Sequence, residues 1–293
     1  MIGQFPTFKP LQLDDRVAVQ TLTRPFPPYS DFNFTSLYCR DTNEQVRVAV
    51  LNGNLAVRFT DPTTDEPFYS FIGNRNVDDT VSRLLDLATS EGLARELKRV
   101  PESCVWRATP GRFAMREDKA NFDHVVSVDR LKTWHIQPQQ NSHTRSDCAV
   151  ASVEVNLADV AIQSRFLALF HRWALRKDAV DDAIETELMA LHRVMFAARR
   201  LPDLCVIATF VDDDLCGFAI NEVLGDGYGI ILFDKADFAY AGIYPQLMQQ
   251  MAGKMGARDC RFINYEQGLG VGSQRKAGSN YLPSNCLRKY VVG

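Results

Sequence analysis

The chain contains 293 residues, of which 46% are hydrophobic and 24% are charged. These proportions exclude a disordered or low-complexity chain, and the length allows one large domain or two of ordinary size. The formal net charge of -3 excludes a uniformly basic nucleic-acid binder, so we expect no DNA partner and only local contact with any polyanion.

The first half of the chain predicts a three-stranded meander followed by a helix. VRVAVLN and LAVRFTD are joined by Asn52–Gly53, a pair that favours a tight hairpin turn. EPFYSFI supplies the third strand, and VDDTVSRLLDLA has the periodicity of an amphipathic helix.

A polar segment separates this half from the next. The string QPQQNSHTRSD, residues 137–147, contains a proline and lacks hydrophobic periodicity, as interdomain linkers do. We therefore place a boundary near residues 140–150 and predict two domains, 1–145 and 146–293.

The second half predicts a strand, two helices and another meander. VASVEV alternates like a half-buried strand, and two amphipathic helical patterns follow, from Phe166 to Trp173 and from Val180 to Met195. LCVIATF, LCGFAINEVL and YGIILF then predict three strands joined by tight turns.

A helix, a strand, a short helix and a final strand complete the predicted order. The helix runs from about Tyr240 to Met255, and CRFINYE is the strand after it. This order of elements is similar to that of a GNAT-type acyltransferase domain, and the first half is a weaker copy of it. The predicted fold class is therefore α+β, with tandem GNAT-like acyltransferase domains, each a mixed, mostly antiparallel sheet flanked by helices.

The cysteines and the apolar runs predict the cellular location. Seven cysteines contain no C-x-x-C pair, so reduced and mostly buried thiols are expected. No apolar run approaches the roughly 20 residues that span a bilayer, and the first residues lack the pattern of a signal peptide. We expect a cytoplasmic protein that meets any lipid acceptor by peripheral contact with a membrane surface.

The segment FINYEQGLGVGSQRKAGSNYLP, residues 262–283, contains glycines and two adjacent cations. It fails the dinucleotide-binding fingerprint because Ser273 stands where the third glycine belongs. It fails the P-loop pattern because Lys276 does not follow a glycine. By itself the segment is therefore equally well interpreted as a solvated surface loop.

The same segment resembles the closing motif of the phosphatidylglycerol lysyltransferase C-terminal domain family. In that family a strand ends in Asn-x-Glu, a Leu-Gly turn follows, and an Arg-Lys-Ala run precedes Tyr-x-Pro. FDKADFAYAGIY, YSDFNFTSLYCR and FDHVVSVDRL are similar to three earlier stretches of the family, so the resemblance covers nearly the whole chain. The chain departs from the motif at Gly268 and Gly278, where the family usually carries charged residues.

The resemblance implies an enzyme that moves an aminoacyl group from aminoacyl-tRNA to an amine or hydroxyl acceptor. It implies no permanently bound cofactor, because aminoacyl-tRNA or an acyl-coenzyme A would be the donor substrate. The helix start at residues 238–244 supplies one glycine and no arginine, which departs from the Arg-x-x-Gly-x-Gly pattern of coenzyme A users and favours the tRNA.

The resemblance also suggests where the donor binds. The fourth and fifth strands of a GNAT-type fold diverge, which would make Asn264, Tyr265 and Glu266 face a reaction cleft. Arg275 and Lys276 are the candidates for the donor phosphates. A second set, at the end of the fourth strand and the start of the following helix, is Lys235 and Gly242. A helix N-terminus there would present free amide groups to an anion. We expect a cavity lined by Lys235, Gly242, Asn264 and Glu266, and a positive cleft formed by Arg275, Lys276 and Lys235.

Three residues are candidates for the chemistry. Glu222, at the end of a predicted strand, and Glu266 would act as a base or bind a substrate amine; an exposed strand-end carboxylate explains either one equally well. Tyr281 would donate a proton to a leaving hydroxyl, although Tyr-x-Pro is more often a packed strand start. The histidines lack metal-ligand spacing, so no metal is predicted.

Three functions remain open at this point. The first is an aminoacyl-tRNA-dependent transferase, the second an acyl-coenzyme A-dependent N-acyltransferase, and the third a non-catalytic binding protein with the double fold. The slight excess of acidic over basic residues opposes the first function, since a tRNA user should have a basic face.

Overall fold

A computed structural model describes residues 2–61, 64–133, 150–176, 182–237, 239–240, 242–267 and 285–293. Within these ranges the chain forms two compact units. The first contains the chain up to Val125, together with Glu266, Gln267 and residues 285–293. The second contains the described residues from Val126 to Tyr265. Most of the boundary expected at residues 140–150 lies outside the described residues. The predicted second domain, 146–293, includes the last strand, whereas in the structure this strand belongs to the first unit.

The elements up to residue 133 are short and alternate between strands and helices. The strands are β1 (Gly3–Gln4), β2 (Lys9–Pro10), β3 (Arg47–Leu51), β4 (Asn54–Thr60), β5 (Pro67–Ile72), β6 (Leu97–Pro101), β7 (Met115–Glu117) and β8 (Asp123–Ser127). The helices are α1 (Arg16–Thr23), α2 (Phe34–Arg40), α3 (Val77–Ser90), α4 (Glu102–Val105) and α5 (Val128–Lys132).

The elements after residue 149 are longer. The strands are β9 (Val150–Glu154), β10 (Leu204–Val211), β11 (Asp214–Val223), β12 (Tyr228–Ala236), β13 (Phe262–Gln267), β14 (Asn285–Leu287) and β15 (Lys289–Val292). The helices are α6 (Val160–Ala174), α7 (Asp182–Ala197) and α8 (Ile243–Gly256). No helix in the described part of the chain is long and apolar enough to cross a membrane.

The strands form two mixed sheets. In the first, the order is β1-β3-β4-β5-β6-β15-β7, with β2 also pairing with β3. In the second, the order is β14-β8-β13-β12-β11-β10-β9. The predicted α+β class, with mixed sheets flanked by helices, is confirmed.

Each sheet contains the same local order. In the first, β3, β4 and β5 pair antiparallel, α3 follows, and β6 pairs parallel with β5. In the second, β10, β11 and β12 pair antiparallel, α8 follows, and β13 pairs parallel with β12. A tandem arrangement requires this common order; any further likeness of the two halves stays a prediction.

Aromatic and aliphatic side chains fill the core of each unit. Phe71, Leu84 and Leu85 are fully buried in the first unit. In the second, Phe166 of α6 stacks on Phe218 of β11, with ring centroids 4.3 Å apart. This contact fixes α6 on one face of the second sheet, because aromatic burial is the largest apolar contribution a single side chain makes.

The described cysteines are free thiols, and five of the six are buried. Burial raises the pKa of Cys104 to about 12 and that of Cys205 to about 11. Thiols with such pKa values are not nucleophiles at neutral pH, so neither residue is a candidate for covalent chemistry.

Candidate functional site

The diverging ends of β12 and β13 form the centre of the candidate site. The parallel register pairs Tyr228 with Phe262 and ends at Ile230 with Asn264, although β12 continues to Ala236 and β13 to Gln267. The β11–β12 ladder shifts register beside Leu232, which stands between the partners of Ile220 and Asn221. A bulge of this kind bends a strand and redirects its side chains.

Asn264 and Glu266 lie on β13 as predicted, and both are buried. Ser36 Oγ donates a 2.9 Å hydrogen bond to Glu266 Oε1, and Arg40 donates to Oε2. Glu266 has a φ of 56°, a left-handed conformation that costs a non-glycine residue roughly 1–2 kcal/mol. The contacts from α2 therefore hold the strand end in a strained conformation.

Opposing effects act on the Glu266 carboxyl. Burial raises its pKa, and the charge of Arg40 and the hydrogen bond from Ser36 only partly oppose that rise. Its two oxygens are both bound by α2. The carboxyl is thus engaged in structure, and the expectation of an exposed strand-end group at this position is wrong.

A cluster of buried charges lies next to Glu266 in the first unit. Gln267 Nε2 donates to both carboxylate oxygens of Asp31, at 2.9 Å each. Asp31 also accepts from Lys289 and from Arg99, the latter at 3.0 Å, and Lys289 donates to Asp123 at 2.6 Å. No local pattern in the sequence predicts this cluster, because its members are up to 258 positions apart.

Lys235 is buried rather than open to a donor phosphate. Its Nζ donates a 2.6 Å hydrogen bond to Glu187 of α7 and lies 4.3 Å from the ring centroid of Trp173 of α6. The side chain is 4% exposed. Since Glu187 already balances its charge, Lys235 adds little to a positive cleft.

Glu222 is also buried. It is 1% exposed and lies in β11, opposite Leu204 of β10 and Ile230 of β12. A carboxylate that is this inaccessible is not positioned to exchange protons with a substrate in this structure. The expectation of an exposed strand-end carboxylate is therefore wrong for Glu222 too.

Gly242 is the N-cap of α8, with a φ of +83°. The helix begins at Ile243, three residues after the predicted start at Tyr240, because this left-handed residue interrupts the helical backbone. The left-handed φ is itself a physical reason for glycine here, because a residue with a Cβ is strained in this conformation. The binding of a donor phosphate at Gly242 stays a prediction.

Arg275, Lys276 and Tyr281, and the departures at Gly268 and Gly278, lie outside the described residues. Their roles stay predictions.

Three polar side chains meet beyond the last β12–β13 pair. Tyr244, in the first turn of α8, donates a 2.5 Å hydrogen bond to Asp234 Oδ2, and its Oη lies 3.1 Å from that of Tyr265. The sequence predicted that Tyr265 faces the cleft but missed the other two. The signal was available in FDKADFAYAGIY, where an aspartate lies near the end of the fourth strand and a tyrosine lies in the first turn of the next helix.

A separate cavity of about 480 Å³ lies in the second unit, where α6 begins and α7 ends. Leu157, Asp159, Arg199 and Pro202 are among its lining residues. None of the predicted site residues lines it. The predicted cavity around Lys235, Gly242, Asn264 and Glu266 stays a prediction.

Comparisons with known proteins bear on the whole chain. Residues 23–293 match the family model described as phosphatidylglycerol lysyltransferase, C-terminal. No curated protein matches the chain.

Solved structures with the same fold cover nearly the full length. A conserved protein of unknown function from Bacteroides thetaiotaomicron has a TM-score of 0.82 and 21% identity, over 100% of this chain and 99% of its own. A domain from Agrobacterium fabrum, assigned by name to the C-terminus of a lysylphosphatidylglycerol synthetase, has a TM-score of 0.63 and 11% identity, over 96% and 92%. L-PGS from Bacillus licheniformis has a TM-score of 0.59 and 12% identity, over 100% and 93%.

These identities establish a shared fold alone, whereas the family model matches most of the sequence itself. The chain therefore belongs to the phosphatidylglycerol lysyltransferase C-terminal domain family.

Proposed function

We propose that the protein transfers an aminoacyl group from aminoacyl-tRNA to an amine or hydroxyl acceptor on a lipid, a peptide or a small molecule. Acyl transfer is the reaction class of a lysyltransferase family, and the match over residues 23–293 is the observation that carries the proposal. The tRNA donor, the transferred amino acid and the acceptor go beyond that match.

The second sheet supports acyl transfer. An aminoacyl ester is already activated, so its transfer depends on positioning the ester and stabilising the oxyanion that forms on attack. The β12–β13 register ends at Ile230 and Asn264 although both strands continue, so the two strand ends separate there. An acyl group lying between them would be positioned by both strands.

We assign the charged residues of the site to two roles, ligand binding and structural support. We assign the donor phosphates to Arg275 and Lys276, and the proton for the leaving oxygen to Tyr281. Lys235 and Glu266 hold neighbouring elements in place through the ion pairs with Glu187 and Arg40. Glu222 and Glu266 are buried, so we assign neither of them the role of base.

Transfer of radiolabel is the direct test. Total tRNA charged with radiolabelled amino acids is mixed with the protein and either phosphatidylglycerol vesicles or small amines, and labelled acetyl-coenzyme A is used in parallel. We expect label to move from the tRNA and not from coenzyme A. Transfer from coenzyme A alone would establish an acyl-coenzyme A-dependent N-acyltransferase, and the absence of binding and transfer with both donors would favour a non-catalytic binding protein.

A pair of double variants tests the phosphate ligands. Replacing Arg275 and Lys276 by alanine should weaken tRNA binding by about 1–3 kcal/mol for each phosphate hydrogen bond that is removed, and salt should weaken the parent protein more than the variant. The matched control replaces Arg199 and Arg200, two adjacent exposed cations after α7. Equal weakening in the two double variants would show that tRNA responds to overall charge and not to this segment.

A further inference from the structure

Asp234 differs from the other carboxylates around the ends of β12 and α6. Asp237 pairs with Arg176 at 2.5 Å, and Glu187 pairs with Lys235 at 2.6 Å. Asp234 is half-buried, and no described cation lies within 4 Å of it. Its described hydrogen bond comes from Tyr244, a neutral donor. A carboxylate whose described partner is a neutral donor still carries a full negative charge, which makes this position a candidate for binding a cation.

The position of Asp234 is that of the proposed acyl group. It lies four residues beyond the last ladder pair of β12, and Tyr265 lies one residue beyond the last pair of β13. Tyr244 packs against a buried cluster that includes Ile243, so its ring is fixed. The hydrogen-bonded side chains of Asp234, Tyr244 and Tyr265 therefore connect β12 and β13 beyond the last residues at which the two strands pair.

The protons of the two phenols can be assigned from the distances. Tyr244 has a single hydroxyl proton, and the 2.5 Å bond to Asp234 uses it. In the 3.1 Å contact with Tyr244, Tyr265 is consequently the donor; Met248 Sδ, at 3.5 Å, is a weaker alternative acceptor. Asp234 is thus the acceptor at the end of these hydrogen bonds, and a carboxylate can accept from a ligand as well as from Tyr244.

The chemistry of this set selects a cation with several hydrogen-bond donors. An anion would be repelled by the carboxylate. One carboxylate and two neutral phenols also fall short of the six to eight oxygens that Ca²⁺ takes. An ammonium group has three donors, and aromatic rings add cation–π attraction when they are close.

We propose that Asp234, Tyr244 and Tyr265 bind the ammonium group of the aminoacyl moiety on the donor. This inference rests on the proposed function, because of the two donors considered only the aminoacyl donor carries a cation on its acyl group. An acetyl group carries no charge and gains nothing from Asp234. The same three residues would then both hold the aminoacyl group and discriminate against simple acyl donors.

Calorimetric titration of the intact protein with small amides tests the inference without any transfer reaction. L-alaninamide carries only an α-ammonium, propionamide is the same molecule without it, and Nα-acetyl-L-lysinamide carries only a side-chain ammonium. We expect alaninamide to bind about tenfold to a hundredfold more tightly than propionamide, the range for a hydrogen bond to a charged group. Binding of Nα-acetyl-L-lysinamide in place of alaninamide would assign the set to a side-chain ammonium.

The variants locate the binding on Asp234. Asp234→Asn should lose the preference for the ammonium ligand, whereas Asp259→Asn, which neutralises an exposed carboxylate in the same unit, should keep it. Tyr244→Phe keeps the ring and should reduce the affinity by a smaller factor. Melting curves of each variant identify a loss that comes from unfolding.

Several results would overturn the inference. These are equal affinity of the parent protein for alaninamide and propionamide, no measurable binding of any ammonium ligand, or an unchanged preference in a folded Asp234→Asn. The comparison of ligands uses the parent protein, so it decides the matter even if that variant does not fold. Ammonium binding without transfer from charged tRNA would refute the proposed function alone, and transfer without the ammonium preference would refute this inference alone.

Discussion

Replacement of Lys289 by methionine should destabilise the first unit strongly. The Lys289 side chain is 0% exposed and donates to Asp31 and Asp123, which are 5% and 0% exposed. Methionine keeps most of the volume but leaves two buried carboxylates without their shared cation. Removal of one partner from a buried ion pair typically costs about 3–5 kcal/mol, and we expect a loss in this range at neutral pH.

The loss should depend on pH, because Lys289 controls the ionisation of Asp31. Burial raises the pKa of Asp31, but the charges of Lys289 and Arg99 outweigh burial and hold that pKa below its usual value. Burial lowers the pKa of Lys289, but Asp123 and Asp31 outweigh it and raise that pKa above its usual value.

The sign follows from these directions. A depressed carboxyl pKa stabilises the fold above the unfolded value of about 3.9, and this stability is lost as the pH falls through the folded value. A raised lysine pKa stabilises the fold below about 10.4, and this stability is lost as the pH rises through the folded value. Without Lys289 the pKa of Asp31 rises, so the deficit of the variant should be smaller near pH 4 than near pH 7.

Chemical denaturation followed by circular dichroism at both pH values measures the deficit. Arg95→Ala is the control, because Arg95 and its partner Asp86 are 55% and 72% exposed, and an exposed pair contributes less than about 1 kcal/mol. A Lys289→Met variant that loses no more than Arg95→Ala at pH 7, or that loses the same amount at both pH values, would refute the reasoning.

Three other substitutions have outcomes set by single features. Glu266→Gln should gain stability relative to the parent as the pH rises above about 4.3. A raised carboxyl pKa stabilises the fold below the unfolded value of about 4.3, and this stability is lost as the pH rises through the folded value. A stability difference between variant and parent that does not change with pH would contradict this. Phe218→Ala should cost about 3–5 kcal/mol, against little change for the 82% exposed Phe196→Ala, and similar melting temperatures would contradict it. Gly242→Ala should cost about 1–2 kcal/mol and Gly242→Asn less, because φ is +83° there; an unchanged alanine variant in thermal melts would show that the helix start relaxes.

The meanders were predictable because their signals are local. β10, β11 and β12 begin and end close to the predicted apolar runs, since alternation and turn residues act within one strand or hairpin. Asn52 and Gly53 both have positive φ in the β3–β4 turn, as the tight hairpin requires. The start of α8 was less predictable, because a glycine can either continue a helix or interrupt it, and the local sequence does not indicate which of the two Gly242 does.

The buried charges were not predictable, because they depend on pairs distant in sequence. Lysine is among the residues least often fully buried, so nothing in CLRKYVVG indicates that Lys289 is completely inaccessible. Its partners Asp31 and Asp123 come from other strands and turns of the first unit. The same holds for Glu266, whose partners Ser36 and Arg40 lie in a helix more than 220 positions earlier.

Asp234 and Lys235 show most directly why the candidate site could not be predicted from the sequence alone. They are adjacent in sequence, but neighbouring residues of a strand point to opposite faces of the sheet. Lys235 therefore meets Glu187 and loses its effective charge, whereas Asp234 meets the neutral phenol of Tyr244. Asp234 thus places a negative charge beside Tyr244, where the sequence had suggested a phosphate ligand. Under the proposed function, this carboxylate would attract the ammonium of an aminoacyl donor and repel its phosphates.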